Sequence, residues 1–124
     1  MASFVLSDAA RDLLGDALNA ALDDGVLELL TDAVLKVTLT LPDVAANTSV
    51  NGVVTLGTIA PAAATGAGVV NVAKFYSNGK AALLATADVG LPASGASVIL
   101  DNTNIAVDQV VNISSCVITV PAGT

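Results

Sequence analysis

Ten aspartates, one glutamate, four basic residues and one cysteine are the side chains of this 124-residue chain with the means for acid, base or nucleophilic chemistry, and no histidine stands among them. Without histidine, neither a Ser-His-Asp nor a Cys-His arrangement forms within the chain, and a single cysteine cannot supply a structural zinc site. Paired carboxylates are the remaining route to acid–base catalysis, with Asp23-Asp24 and Asp101 with Asp108 as the candidate pairs. Their settings favour a simpler role. Asp23-Asp24 falls at a predicted helix end, Asp101 opens a turn and Asp108 precedes a strand, all ordinary places for solvated aspartate. The aromatics that usually line a substrate pocket are reduced to Phe4, Phe75 and Tyr76. The chain is therefore expected not to be an enzyme and to use no cofactor.

Two further segments invite a ligand reading. Asp101-Asn102-Thr103-Asn104 brings oxygen ligands close together, as a hard cation such as calcium requires, but lacks the Asp-x-Asp-x-Asp-Gly layout and distal Glu of a calcium loop. It reads as a turn. Gly66-Ala67-Gly68 precedes a strand, not a helix, which removes the phosphate-cradling geometry of a glycine-rich loop. Asn47-Thr48-Ser49 and Asn112-Ile113-Ser114 match the glycosylation triplet, which carries meaning only for an exported protein.

Charge and hydropathy point toward assembly. Hydrophobic residues make up 54% of the chain and charged ones 12%, against about 45–50% and about 25% in an average soluble domain. Such a surface is expected to be covered in part by neighbouring chains, since large exposed apolar patches usually mark interaction sites. The competing reading is an alanine-rich but ordinary monomer. A net charge of −7 repels phosphate backbones and anionic lipid, so neither direct nucleic-acid binding nor membrane attachment is expected. The lone Cys116, set in the apolar run Ser115-Cys116-Val117-Ile118, reads as a buried thiol in a reducing compartment. Asp8, Asp12 and Asp16 interrupt the segment that would form a signal peptide, so export by that route is not expected. No run reaches the roughly 18 apolar residues of a membrane-spanning helix.

The positioning elements follow from periodicity. A helix is predicted over residues 7–24, with Ser7 as N-cap, Asp8 and Asp12 near the positive end of its dipole, and Gly25 as the stop. Its apolar stripe is Ala9, Ala10, Leu13, Leu14, Ala17, Leu18, Ala21 and Leu22; Arg11, Asp12, Gly15, Asp16, Asn19 and Asp23 fill the other side. The stripe is expected to pack on the body and the acidic face to meet water. Gly15 lowers helix propensity by about 1 kcal/mol relative to Ala, so either a neighbour approaches closely there or the glycine is simply tolerated.

From Val26 the period shifts toward two. Leu35, Val37, Leu39 and Leu41 alternate with Lys36, Thr38 and Thr40, the pattern of a strand with one buried face. Further strands are predicted over residues 50–59, 69–76, 80–89, 97–100 and 109–120, with residues 60–68 as a loop. Ser77-Asn78-Gly79 contains the strongest short-range hairpin signal and predicts an antiparallel pair on either side of it. With no second helix for crossovers, the prediction over residues 26–121 is an antiparallel β-sandwich, jelly-roll-like, in a single domain spanning residues 1–124. Ahead of the helix, residues 1–6 form a short arm. Its Phe4, Val5 and Leu6 either staple their own helix or join another chain, and they are the candidate assembly contacts.

Several stretches together resemble a group of small virion proteins of tailed bacteriophages. They are Ala73-Lys74-Phe75-Tyr76-Ser77-Asn78-Gly79, Ile99-Leu100-Asp101-Asn102-Thr103-Asn104-Ile105, Val111-Asn112-Ile113-Ser114-Ser115, and the helix start Ser7-Asp8-Ala9-Ala10-Arg11. The resemblance lies in composition and turn placement, and residues 60–68 depart from it. It implies a non-enzymatic virion component: a capsid decoration or cement protein bridging major capsid protein subunits, or otherwise a tail or head-fibre component. It also implies synthesis in the host bacterial cytoplasm and residence in the virion as a dimer or trimer. A generic β-sandwich binding module is the bland alternative, for which the chain lacks an aromatic-lined groove.

Overall fold

The structure, a computed structural model, describes residues 5–42 and 50–120. It is mainly β with one N-terminal helix, a sandwich-like arrangement around one core. Helix α1 spans Asp8–Leu22; Ser7 Oγ accepts from Ala10 N, and the chain leaves the helix at Asp23. Strands β1 (Val26–Thr31) and β2 (Val34–Thr40) form a hairpin. They are followed by β3 (Val53–Thr55), β4 (Ala62–Ala63), β5 (Gly68–Val69), β6 (Val72–Tyr76) and β7 (Leu83–Gly90). The chain ends with β8 (Val98–Leu100), β9 (Asn104–Ile105), β10 (Val110–Val111) and β11 (Ile113–Thr119).

Seven strands make one sheet in the order β2-β1-β6-β7-β8-β11-β3, and the short pairs β10-β4 and β5-β9 stand beside it. The large sheet is mixed. Every pairing is antiparallel except β7 with β8, where Val89 pairs with Val98 and Gly90 with Ile99. Parallel neighbours usually need a crossover of a dozen or more residues; an overlap of two pairs is short enough for the loop of residues 91–97 to close. The core draws Leu27, Leu29, Val37, Leu39, Ala73 and Phe75 from the β2-β1-β6 side, and Val54, Val98, Leu100 and Cys116 from the β8-β11-β3 side. Strand β1 is covered on both faces from Leu27 to Leu30, including Glu28, which fits a central strand written as a nearly continuous apolar run.

Several local expectations are corrected. Residues 50–59 are not one strand: Asn51 and Gly52 both have left-handed φ, 51° and 79°, and Val50 and Val53 exchange two backbone hydrogen bonds across them. That is the two-residue Asn-Gly hairpin turn. The other Asn-Gly pair, Asn78-Gly79, lies in a single 3-10 turn closed by Ser77 N donating to Ala82 O at 3.0 Å, although β6 and β7 do pair antiparallel as predicted. The stretch 60–68 contains β4 and the start of β5, because small residues there lie close to β2, with Thr65 N donating to Lys36 O at 2.8 Å. Residues 109–120 divide at Asn112, since β10 pairs with β4 whereas β11 pairs with β8 and β3. Residues 69–76 likewise divide between β5 and β6.

The largest correction concerns the helix face. The side turned to the body is Arg11, Asp12, Gly15, Leu18, Asn19 and Leu22, with Gly15 and Leu22 buried; Ala9, Leu13, Leu14, Ala17, Ala20 and Ala21 are exposed. The apolar stripe therefore looks outward along most of its length. Only its Leu18–Leu22 edge reaches the core.

Candidate functional site

Hydrogen bonds explain how the helix sits. Arg11 Nε donates to Val120 O at 2.8 Å, just past the end of β11, and Gly52 N donates to Asp12 Oδ1 at 2.9 Å, at the turn leading into β3. Both bonds join charged side chains to main-chain groups at the end of the β11-β3 pair, the kind of hydrogen bond worth about 1.5–3 kcal/mol. Gly52 packs so closely on Arg11 that a Cβ there would come within 2.7 Å of Arg11 Nε. The glycine at 52 thus serves both the left-handed turn and the docking of α1. Gly15 is buried on the inward line of the helix.

The outward stripe is the most apolar surface the helix has. Leu13 is 73% exposed and Leu14 50%. Of the predicted assembly contacts, Val5 is 69% exposed and Leu6 half-buried, while Phe4 lies outside the described residues. Further exposed aliphatics lie in or beside β2, β5 and β10: Val34, Leu35, Val69, Val107 and Val110. Periodicity marked the helix stripe in advance but not its outward direction, and nothing in the sequence singled out these others.

The sites with chemical potential resolve into structure. Asp101 Oδ1 accepts from Ser114 Oγ of β11 at 2.8 Å, tying the end of β8 to its neighbour, and Asn102 Oδ1 accepts from Asn104 N at 3.0 Å, closing its own turn. The hollow beside them, about 150 Å³ and lined by Asp101, Asn102, Gln109, Val110, Val111 and Asn112, is small beside the roughly 300–1,000 Å³ of small-molecule pockets. Among the described residues, no three His, Cys, Asp or Glu side chains are grouped to share a metal ion. Asp108 sits at a left-handed turn position and donates its own N–H to Ala64 O, and Asp24 donates likewise to Pro42 O. These aspartates serve turns.

Cys116 lies beside an open hollow of about 330 Å³ formed by residues 55–58 and 113–116. It is itself 2% exposed, and burial pushes its thiol up to about 12 from an ordinary 9.0. A thiol held protonated in this way is a poor nucleophile, because the thiolate is the reactive form.

One ionic arrangement escaped sequence reasoning. Glu28, 5% exposed in the middle of β1, lies 2.7 Å from Lys80 Nζ, and that ammonium sits 5.0 Å from the centroid of the Tyr76 ring. The hydrogen bond to Glu28 raises the Lys80 pKa above its ordinary 10.5. Lys80 adopts a left-handed φ of 59° in the 3-10 turn, which carries its side chain back over β1. The pair acts as a clasp between the β6–β7 connection and the central strand. Its partners are 52 positions apart in sequence, so no local pattern announces it.

With the candidate aspartates engaged in turns and strand contacts, the thiol buried and buried Glu28 clasped by lysine, the prominent candidate site among the described residues is the apolar surface of α1 and its arm. No family model matches the chain, no curated protein matches it in sequence, and no solved structure matches its fold.

Proposed function

We propose that this chain is a non-enzymatic structural component of a tailed-bacteriophage virion, a capsid decoration or cement protein that stabilises the shell by bridging coat subunits. The observation that carries the reading is the placement of large apolar side chains on the surface, above all Leu13 and Leu14 on the outward stripe of α1. Burying one such side chain against a neighbour contributes about 1.5–3 kcal/mol, and repetition over a symmetric shell multiplies the effect without any reaction. The low charge density and the resemblance of the turn-bearing segments to small virion proteins support the same reading.

The test is direct. Purified protein mixed with undecorated capsids is expected to give ordered density at symmetry-related positions and a higher temperature of shell disruption. An unchanged shell with no added density refutes the cement role. Density confined to tails or head fibres assigns the chain to those structures instead.

A further inference from the structure

An asparagine followed by glycine is a reactive pair as well as a turn signal. The main-chain nitrogen of the glycine, once it has lost its proton, attacks the side-chain carbonyl carbon of the asparagine. A C–N bond forms, ammonia leaves and a five-membered succinimide remains. Water then opens the ring at either carbonyl, giving aspartate, or isoaspartate in which the main chain runs through the side chain. Glycine favours closure because it has no Cβ to obstruct the approach. In this chain Asn51 and Asn78 stand before glycine.

The fold treats the two pairs differently. Asn51 is exposed, but Gly52 is buried: its N–H is donated to Asp12 Oδ1 at 2.9 Å, and its carbonyl oxygen accepts from Val120 N at 2.7 Å. Removing the Gly52 proton would break a bond to a carboxylate and set a nitrogen anion beside it, which like charge opposes. Turning the peptide between Asn51 and Gly52 toward the Asn51 side chain would also strain the paired Val50–Val53 hydrogen bonds that flank it.

Asn78 and Gly79 are both exposed. Beyond the chain neighbours of Gly79, nothing among the described residues lies within 4 Å of where its Cβ would stand. The pair belongs to a three-residue 3-10 turn held by Lys80 N donating to Ser77 O at 2.9 Å, while the bonds between Ser77 and Ala82 lie outside the reacting pair. The side chain that follows is the Lys80 ammonium, whose charge does not oppose an anion on the Gly79 nitrogen.

We propose that Asn78 is a site of spontaneous modification, converted through a succinimide to isoaspartate and aspartate with water as co-reactant, and that the docking of α1 shields Asn51 from the same reaction. Ammonia carries away the side-chain nitrogen, and no oxidant or reductant takes part. Each product carries one negative charge more than the −7 of the parent chain. The reaction needs no partner, so the inference is independent of the virion reading.

The experiment keeps the full chain in warm, mildly alkaline buffer, folded in one sample and unfolded in guanidinium chloride in another, and follows both by peptide mapping with mass spectrometry. Each site is referred to its own rate in denaturant, where local sequence alone acts. Reaction is read as a gain of about 1 Da, and isoaspartate is told from aspartate by fragmentation. Folding is expected to slow Asn51 at least about tenfold more than Asn78, a factor within reach of one lost charge-assisted hydrogen bond. A more acidic species should grow in ion exchange in step with the Asn78 signal. Four results overturn the proposal: equal slowing of the two sites by folding, an unreacted Asn78 in the folded chain when the unfolded chain has reacted, another asparagine reacting before Asn78 in the folded chain, or aspartate at position 78 without isoaspartate.

Discussion

Alkaline unfolding offers a quantitative test of how deeply Cys116 is buried, and therefore of whether thiol chemistry is available to this chain. In the folded protein burial holds the thiol protonated up to about 12; exposed, it ionises at its ordinary 9.0. Between those values the unfolded state binds fewer protons than the folded one, so stability falls as pH rises through that window and is unaffected by this group below it. At about pH 10.5 the unfolded thiol is about 1.5 pH units beyond its midpoint while the folded one is still protonated, a loss of about 2 kcal/mol. Above about pH 12 the loss levels off near 4 kcal/mol. Urea unfolding of wild type and Cys116→Ala, under reducing conditions at about pH 8 and about pH 10.5, isolates the contribution from other groups that titrate in the same range. With a slope of about 1–3 kcal/mol per molar urea, the wild-type midpoint should drop by about 1 M more than that of the variant. Parallel losses in the two proteins would refute the burial argument and reopen Cys116 as a reactive group.

Three further outcomes follow from the geometry. Gly25→Ala should destabilise the fold by about 1–3 kcal/mol in urea titrations, because the added Cβ meets the carbonyl oxygens of Tyr76 and Leu22, neither of which can move without shifting its element. Arg11→Ala should loosen α1 selectively, costing about 1.5–3 kcal/mol, seen as faster amide exchange in Asp8–Leu22 with β1 and β6 still protected. Lys80→Met should lower the urea midpoint near neutral pH by leaving Glu28 without its cation. Since the raised Lys80 pKa contributes stability that is present below 10.5 and lost as pH rises through the higher folded value, the wild-type advantage should disappear at strongly alkaline pH.

The parts of the fold written in local pattern were legible. Alternation placed Val37, Leu39 and Leu41 in the core, though Leu35 is 39% exposed because the β1–β2 register shifts between Leu29 and Leu30. Short-range turn chemistry gave the β6–β7 pair, but the same Asn-Gly signal at Asn51-Gly52 was hidden between Val50 and Val53, whose flanking valines read as one extended run. Strands β4 and β5 were illegible for a different reason. Each is two residues long, and their pairing with β10 and β9 is main-chain hydrogen bonding that leaves no side-chain period to detect. Of the candidate site, Val5 could be named from its place ahead of the helix, whereas the Glu28–Lys80 clasp depended on a turn conformation that the sequence did not disclose.

The helix shows most clearly where local pattern stops. A period of 3.6 residues states that one stripe is apolar and is silent about which way that stripe faces. Direction is set by contacts from far along the chain: Val120 lies 109 positions from Arg11, and Gly52 lies 40 from Asp12. Turning the helix to bury Leu13 and Leu14 would gain about 1.5–3 kcal/mol for each. It would also break two charge-assisted bonds of about 1.5–3 kcal/mol each and strip partners from main-chain groups at the sheet end. The two arrangements are of similar energy on those terms alone, and the burial of Leu22 with partial burial of Leu18 tips the balance toward the one observed. Folding therefore leaves the apolar stripe outside without a net penalty. The contacts of the described residues leave its burial energy unrealised.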